Sequence, residues 1–235
     1  MRRCVVIAVL FAAGTASGQG VFSDVMSGKL INPEVGVFAR YELVDNATGQ
    51  KLYVRQAIVG EKQVADTVGY YLETEVMPEV GFPIVYRMLL TGPATDPANV
   101  HEIMVKDGTH PVTSVPVDML LEEEESDDEG QPSLRDSLGT ATVSTPAGTL
   151  ETEHFSISRG DRTTKVWAND DVRPMGIVKM VSDDGELRLT GYGKGGADAE
   201  SAIDRNLREQ ERDDVKVEVT PGGPTRNFSG RASEE

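Results

Sequence analysis

The chain holds a single cysteine, Cys4, and that residue lies in an N-terminal apolar run that reads as a removable leader. The mature chain then has no thiol. It can form no disulfide, supply no cysteine nucleophile and build no cysteine metal site. Cys4 also sits inside the apolar run rather than at its end, which argues against a lipid anchor there. Long apolar runs are missing as well. The longest, "CVVIAVLFAAG", is 11 residues, short of the roughly 20 that span a bilayer. Basic charge is scarce, with 23 Lys and Arg against 39 Asp and Glu, a formal charge of −16. That excess opposes nucleic acid and anionic membrane surfaces, so neither a nucleic-acid partner nor stable membrane insertion is expected. Aromatic residues make up only 6% of the chain and include one tryptophan, Trp167.

Catalytic signatures are missing too. There is no G-x-S-x-G elbow for a serine nucleophile. The histidines, His101, His110 and His154, fall in no HExxH or other close ligand spacing. Carboxylates are plentiful, but they cluster in turns and linkers where water screens them, whereas general acid-base work needs a buried carboxylate with a shifted pKa. No catalytic residue, metal ligand or cofactor is therefore assigned, and the chain is not expected to be an enzyme.

The N-terminus carries a leader. Arg2 and Arg3 form a basic start, the apolar run follows, and Ala16-Ser17-Gly18 supplies small residues for cleavage. Residues 1–18 are expected to be a signal peptide cut before Gln19. A cysteine-free exported chain fits a bacterial periplasmic or secreted product. Removing Arg2 and Arg3 takes the formal charge from −16 to −18. The remaining length suits one β-rich domain.

Short alternating runs fill the middle of the chain. "VGVFARYELV" puts Val37, Ala39, Tyr41 and Leu43 on one face and Phe38, Arg40, Glu42 and Val44 on the other. "IVYRMLL" points Ile84, Tyr86, Met88 and Leu90 one way, and "ELRLTGY" sets Leu187 and Leu189 against Glu186, Arg188 and Thr190. Such period-two patterning predicts strands with one dry face, about ten or eleven of them. "GTLETEHFSIS" is less regular, because Phe155 and Ile157 share their parity with Glu151 and Glu153. "DNATGQ" and "SDDGE" read as hairpin turns. "FSISRGDRTTKVWA" reads as a hairpin, and "NDDVRPMG" as a loop in which Pro174 bars a ladder hydrogen bond.

The expected layout is one antiparallel β domain over residues 19–196, broken by a disordered acidic loop at about 121–137. Glu122–Glu125, Asp127, Asp128 and Glu129 repel one another there, and the spacing is not that of an EF-hand. A short N-terminal helix could form in "VFSDVMSGKL". A polar helix is expected at 197–214, with a thin apolar face of Ile203 and Leu207, then a flexible tail at 215–235. Three short motifs have ordinary explanations. Gly191, Gly193 and Gly196 fit G-x-G-x-x-G, but the helix after them is too polar for a parallel sheet, so they read as a glycine-rich exit from the last core strand. Arg159-Gly160-Asp161 and the sequon Asn46-Ala47-Thr48 both read as turns.

The order of segments, from the leader through "GVFARYEL" and "HEIMVKDGTHPVTSVP", then past the acidic break to "KVWANDDVRPMGIVKM" and "LTGYG", resembles the LolA-like lipoprotein-carrier superfamily over about residues 35 to 193. The resemblance implies a curved antiparallel sheet, a half barrel, around an apolar cavity partly lidded by short helices. It also implies a lipid or lipoprotein partner. The acidic break and the polar helix depart from that plan, and no ligand-binding position can be matched.

Together these readings lead to a mainly β chain that carries or senses a hydrophobic ligand in a concave cavity. Tyr41, Met88, Trp167 and Met180 are its candidate lining residues, since methionine adapts to varied ligands and a lone tryptophan can floor a pocket. The alternative is a non-catalytic envelope module with a packed core. Oligomeric state is not readable from the sequence.

Overall fold

The computed structural model describes residues 29–117, 134–159 and 162–205. The leader, the body of the acidic loop, Gly160 and Asp161, most of the N-terminal helix segment and everything past Arg205 lie outside the described residues. The architecture is mainly antiparallel β, as the alternation predicts. Eleven strands are present: β1 Val37–Asp45, β2 Lys51–Val64, β3 Thr67–Pro78, β4 Ile84–Leu90, β5 Val100–Asp107, β6 Thr113–Val115, β7 Leu134–Thr145, β8 Gly148–Arg159, β9 Arg162–Ala168, β10 Ile177–Val181 and β11 Gly185–Lys194. They form one sheet in the order β6-β5-β4-β3-β2-β1-β11-β10-β9-β8-β7. Two meanders, β1 to β6 and β7 to β11, are thus joined by the antiparallel pairing of β1 with β11. One expectation shifts at a boundary. Residues 134–137, expected in the acidic loop, are strand, because their backbone pairs in register with Phe155–Ser158 of β8.

The dry face follows the predicted parity. Val37, Ala39, Tyr41 and Leu43 of β1 are buried and lie beside Val54 and Ile58 of β2. Leu72 of β3 and Met88 and Leu90 of β4 continue the face in one direction. Leu187 and Leu189 of β11, Met180 of β10, Val166 of β9 and Phe155 of β8 continue it in the other. All belong to one apolar cluster. Each such fully buried side chain contributes about 1.5–3 kcal/mol relative to exposure. The described residues hold no helical layer over this face, so the sheet covers itself. It curls until β7 approaches β10 and β11. Val143, Ala147 and Leu150 at the end of the β7–β8 hairpin, Val172 and Met175 of the β9–β10 loop, and Leu30 all pack on the cluster.

The outer face is a ladder of charge. Glu42 bridges Lys51 at 3.2 Å and Arg188 at 2.8 Å, and Glu186 bridges Lys179 at 3.1 Å. Burial alone would raise the Glu42 carboxyl, but hydrogen bonds from Lys51 and Arg188 outweigh it and hold the group below its ordinary range. Pairs this exposed add about 0–1 kcal/mol each, so they set register more than they supply stability. Gly191 lies directly under the Arg40 guanidinium, where a Cβ would come within 2.8 Å of Nη2. Gly191 therefore serves close approach in an antiparallel strand, whereas Gly193 makes only ordinary contact with Phe38 and Gly195 and Gly196 take positive φ just past the strand.

Part of this face is covered. After β11 the chain makes a 3-10 turn at Ala197–Ala199 and a helix begins at Ala202. This stretch crosses the strands in order. Asp198 reaches Arg40 of β1, the Asp198 carbonyl accepts from Arg55 of β2, Ser201 donates to Glu73 of β3, and Asp204 pairs with Arg87 of β4. Ile203, expected on a thinly docked helix, is fully buried against a small cluster with Val85 and Met104. A thin apolar face proves sufficient because the main anchor is polar. The fully buried Glu73 carboxylate accepts from Arg55 at 2.5 Å, Ser201 Oγ at 2.7 Å and the Ala202 N–H at 2.7 Å.

Candidate functional site

Three of the four candidate lining residues share the concave face. Tyr41, Met88 and Met180 retain 1%, 9% and 2% of their exposure and lie in the continuous apolar cluster. Trp167 does not join them. Its β-sheet neighbour Val166 opposes Met180, so Trp167 points to the outer face. There it stacks on His154 with ring centroids 4.3 Å apart and planes 7° from parallel, and the Lys179 ammonium lies 5.5 Å from its centroid. The concave face is not wholly apolar. Among the described residues, Tyr41 Oη and Thr74 Oγ1 find no hydrogen-bond partner and are buried. Burial pushes the Tyr41 hydroxyl well above its ordinary pKa, and an unsatisfied buried hydroxyl costs about 1–3 kcal/mol.

The open concavity lies elsewhere, at the end of the sheet where the β7–β8 hairpin runs beyond β9. It is a cleft of about 540 Å³ lined by Thr140, Thr142, Glu151, Glu153, Ala168, Asn169, Asp170 and Asp171, with Ala141 and Thr152 behind them. The irregular parity of β8 is explained here. The odd positions run from Phe155 in the core to Glu153 and Glu151 in water, so the face that is dry in mid-sheet becomes wet at its end. Asn169 fixes the facing loop. Its Nδ2 donates to the Glu151 carbonyl at 2.8 Å and its Oδ1 accepts from the Asp171 N–H at 2.8 Å. Its own N–H donates to the Gly176 carbonyl at 2.8 Å. Gly176 adopts φ +75°, and a Cβ there would strike Ile31 Cδ1 at 2.4 Å. Val172 and Met175 anchor the loop in the core. Thr152 Oγ1 donates to the Ala141 carbonyl at 2.7 Å, tying the hairpin together.

No basic residue lines the cleft. Among the described residues, the carboxylates of Glu151, Glu153, Asp170 and Asp171 make no ion pair, whereas Glu34, Glu42, Glu73, Glu75, Glu102 and Glu186 all do. The cleft can therefore hold cationic groups by Coulomb attraction and by hydrogen bonds to its threonine hydroxyls. These four acids were not singled out as a site by sequence reasoning. The only signal was the pair of glutamates on the β8 parity that also holds Phe155 and Ile157.

The other candidates are dispersed. His101 hydrogen-bonds Thr91 Oγ1 at 2.8 Å, His110 contacts the Asp107 carbonyl at 3.0 Å, and His154 is the one on Trp167. Among the described residues, no group of three or more His, Asp or Glu side chains is placed to hold a metal ion. Asn46 of the sequon donates to the Ser182 and Asp183 carbonyls at 3.3 and 3.2 Å, which locks the β1–β2 turn to the β10–β11 turn. A small apolar group stands exposed on the far half of the sheet. It combines the cross-strand pair Tyr53 and Met77 with Val80 and Phe82.

Fold and site define a single-sheet, curled antiparallel β protein with a packed concave face and an acidic mouth. No protein-family model matches the chain, and no curated protein matches it. Solved structures give distant likenesses. A protein from Bacteroides fragilis, assigned as exported and having a YmcC-like fold, is 12% identical over 71% of this chain and 100% of its own, with a TM-score of 0.36. A protein from Parabacteroides distasonis assigned as a lipoprotein is 10% identical over 71% and 99%, with a TM-score of 0.34. MucB is 9% identical over 82% of this chain and 62% of its own, with a TM-score of 0.38. Scores this low mark a distant resemblance in fold and carry no function across. No helix among the described residues is long and apolar enough to cross a membrane.

Proposed function

We propose that the chain is a non-catalytic binding module of the bacterial cell envelope that engages its partner at the rim of a packed sheet. One observation carries this reading. Tyr41, Met88 and Met180 are built into the core, while the open concavity holds free carboxylates. A dry, filled interior leaves recognition to the outside. Export rests on the N-terminal pattern of Arg2, Arg3 and the apolar run. The non-catalytic reading rests on how the buried acids are used. Glu73 and Glu75 are both committed to Arg55, and the histidines sit on different elements with separate partners.

A second reading, a carrier of a hydrophobic ligand with a polar head, is favoured by the unpaired Tyr41 Oη and Thr74 Oγ1 on the concave face. Native mass spectrometry of protein purified from a periplasm, followed by solvent extraction, separates the two. The module gives a clean unliganded mass at every charge state and no fatty-acid binding on titration. A reproducible lipid-sized mass that is lost on denaturation overturns the module and establishes the carrier.

A further inference from the structure

Among the described residues the sheet ends in two unpaired edges, and they are unlike. β6 is three residues long, too short to template another strand. β7 is twelve residues long, and among the described residues nothing pairs with its outer side. Every residue from Arg135 to Thr140 is exposed, so both faces of the strand stand in water there. Leu138 is 49% exposed. Long edges are normally blunted by lysines, prolines or inward charges. Here the sequence from Ser137 to Leu150 carries no charged residue, and the strand holds three threonines, Thr140, Thr142 and Thr145. The register shifts at a bulge between Ser137 and Gly139, after which Thr140 to Thr145 run in regular register with β8. Those same residues, Thr140 to Thr142, form one wall of the acidic cleft.

We propose that β7 is a strand-addition site for an extended peptide segment bearing lysine or arginine at alternate positions. The proposal rests on the rim-binding reading above and names its partner. An added strand would place its backbone about 4.8 Å beyond β7 and about 10 Å from β8. Alternate side chains of that strand point to the cleft side. The small Thr140 and Thr142 side chains do not obstruct them, and a lysine stem spans the gap to Glu153 and Glu151. Backbone hydrogen bonds to β7 supply sequence-independent affinity, and the unpaired acids select basic side chains. The same acids turn away added strands that carry acidic side chains.

The probe is a short peptide of alternating lysine and valine, compared with a counterpart N-methylated at every residue. The methylated peptide keeps the charge and loses the backbone donors of both edges. Binding is read by fluorescence anisotropy, and its location by amide hydrogen exchange on the intact protein. The parent peptide is expected to bind, to slow exchange between residues 137 and 145, and to weaken as salt rises. Glu151→Gln with Glu153→Gln should weaken it by about tenfold, the scale of two exposed ion pairs. Both side chains are exposed, so the variant folds. Methylation should abolish binding. Equal affinity for the methylated peptide, protection away from β7, or no binding overturns strand addition while leaving the packed module standing. A β7-protected dimer in the free protein likewise overturns it, in favour of self-pairing. Only a co-purifying lipid removes the rim-binding reading itself.

Discussion

Glu73→Gln tests how the C-terminal segment is held. The glutamate is fully buried and accepts three hydrogen bonds, from Arg55, Ser201 Oγ and the Ala202 N–H. The amide is nearly isosteric but has one acceptor oxygen in place of two, and its NH2 must face a donor. Arg55 keeps Glu75 at 2.8 Å and the Asp198 carbonyl at 2.9 Å, so its charge is only half abandoned. Burial alone would lower the Arg55 pKa. The hydrogen bond to Glu75 and the charge of Glu73 more than offset this and hold it above its ordinary value. Breaking one partner of a buried pair costs about 3–5 kcal/mol. The retained Glu75 contact places Glu73→Gln at the lower end, about 3 kcal/mol. Ser201→Ala removes one bond to Glu73 and the cap on the Asp204 N–H at 3.1 Å, for about 1–2 kcal/mol. Arg55→Met with Glu73→Leu should cost less than the sum of its single changes, because the fully buried Glu73 charge leaves together with its partner and only the less buried Glu75 loses Arg55. Urea denaturation gives the free energies, and hydrogen exchange gives the place. Protection should fall first between residues 197 and 205. A loss under about 1 kcal/mol for Glu73→Gln, or undiminished protection of that segment, refutes the buried carboxylate as its anchor.

Two further outcomes test the interior and the pH response. Met180→Ala should cost about 2–5 kcal/mol in urea denaturation, because a filled core closes only partly around a lost side chain, whereas a loss under about 1 kcal/mol would indicate an open cavity around Met180. The Tyr86 hydroxyl is pushed up to about 12 by burial and then by Asp107, and burial also raises Tyr41. A pKa raised by folding gives stability that is fully present below the unfolded value near 10 and is lost as pH rises through the folded one. Stability should therefore fall between about pH 10 and 12, by about 2–3 kcal/mol for Tyr86 alone. The check is alkaline unfolding followed by circular dichroism with Tyr86→Phe as the comparison, since that variant should lose less stability across the same range.

The strands were legible because burial on one face leaves a period of two in the sequence. β1 and β11 show it plainly, and their buried residues fall on the parity read from the sequence. β4 departs from it, because Val85 and Leu89 on the opposite parity are buried as well. What was not legible depends on partners far away along the chain. Trp167 follows Val166 in the run "RTTKVWA", where each parity holds one large apolar residue, so the run alone does not say which face is the core. The answer lies in the pairing of Val166 with Met180. Glu73, inside "YYLETEV", reads as an outward-facing polar residue, which it is by parity. Only the crossing segment, with Ser201 some 128 positions later, makes that outward face a buried one. The acidic cleft has the same character. Glu151 and Glu153 come from one strand and Asp170 and Asp171 from a loop after the next. They face each other because β8 extends past the end of β9, a length mismatch that no local pattern encodes. A sheet's dry face is thus written locally, residue by residue. Its functional rim is written in how far each strand overruns its neighbour. Changes in hairpin length at β7–β8 should therefore alter recognition while leaving the core parity untouched.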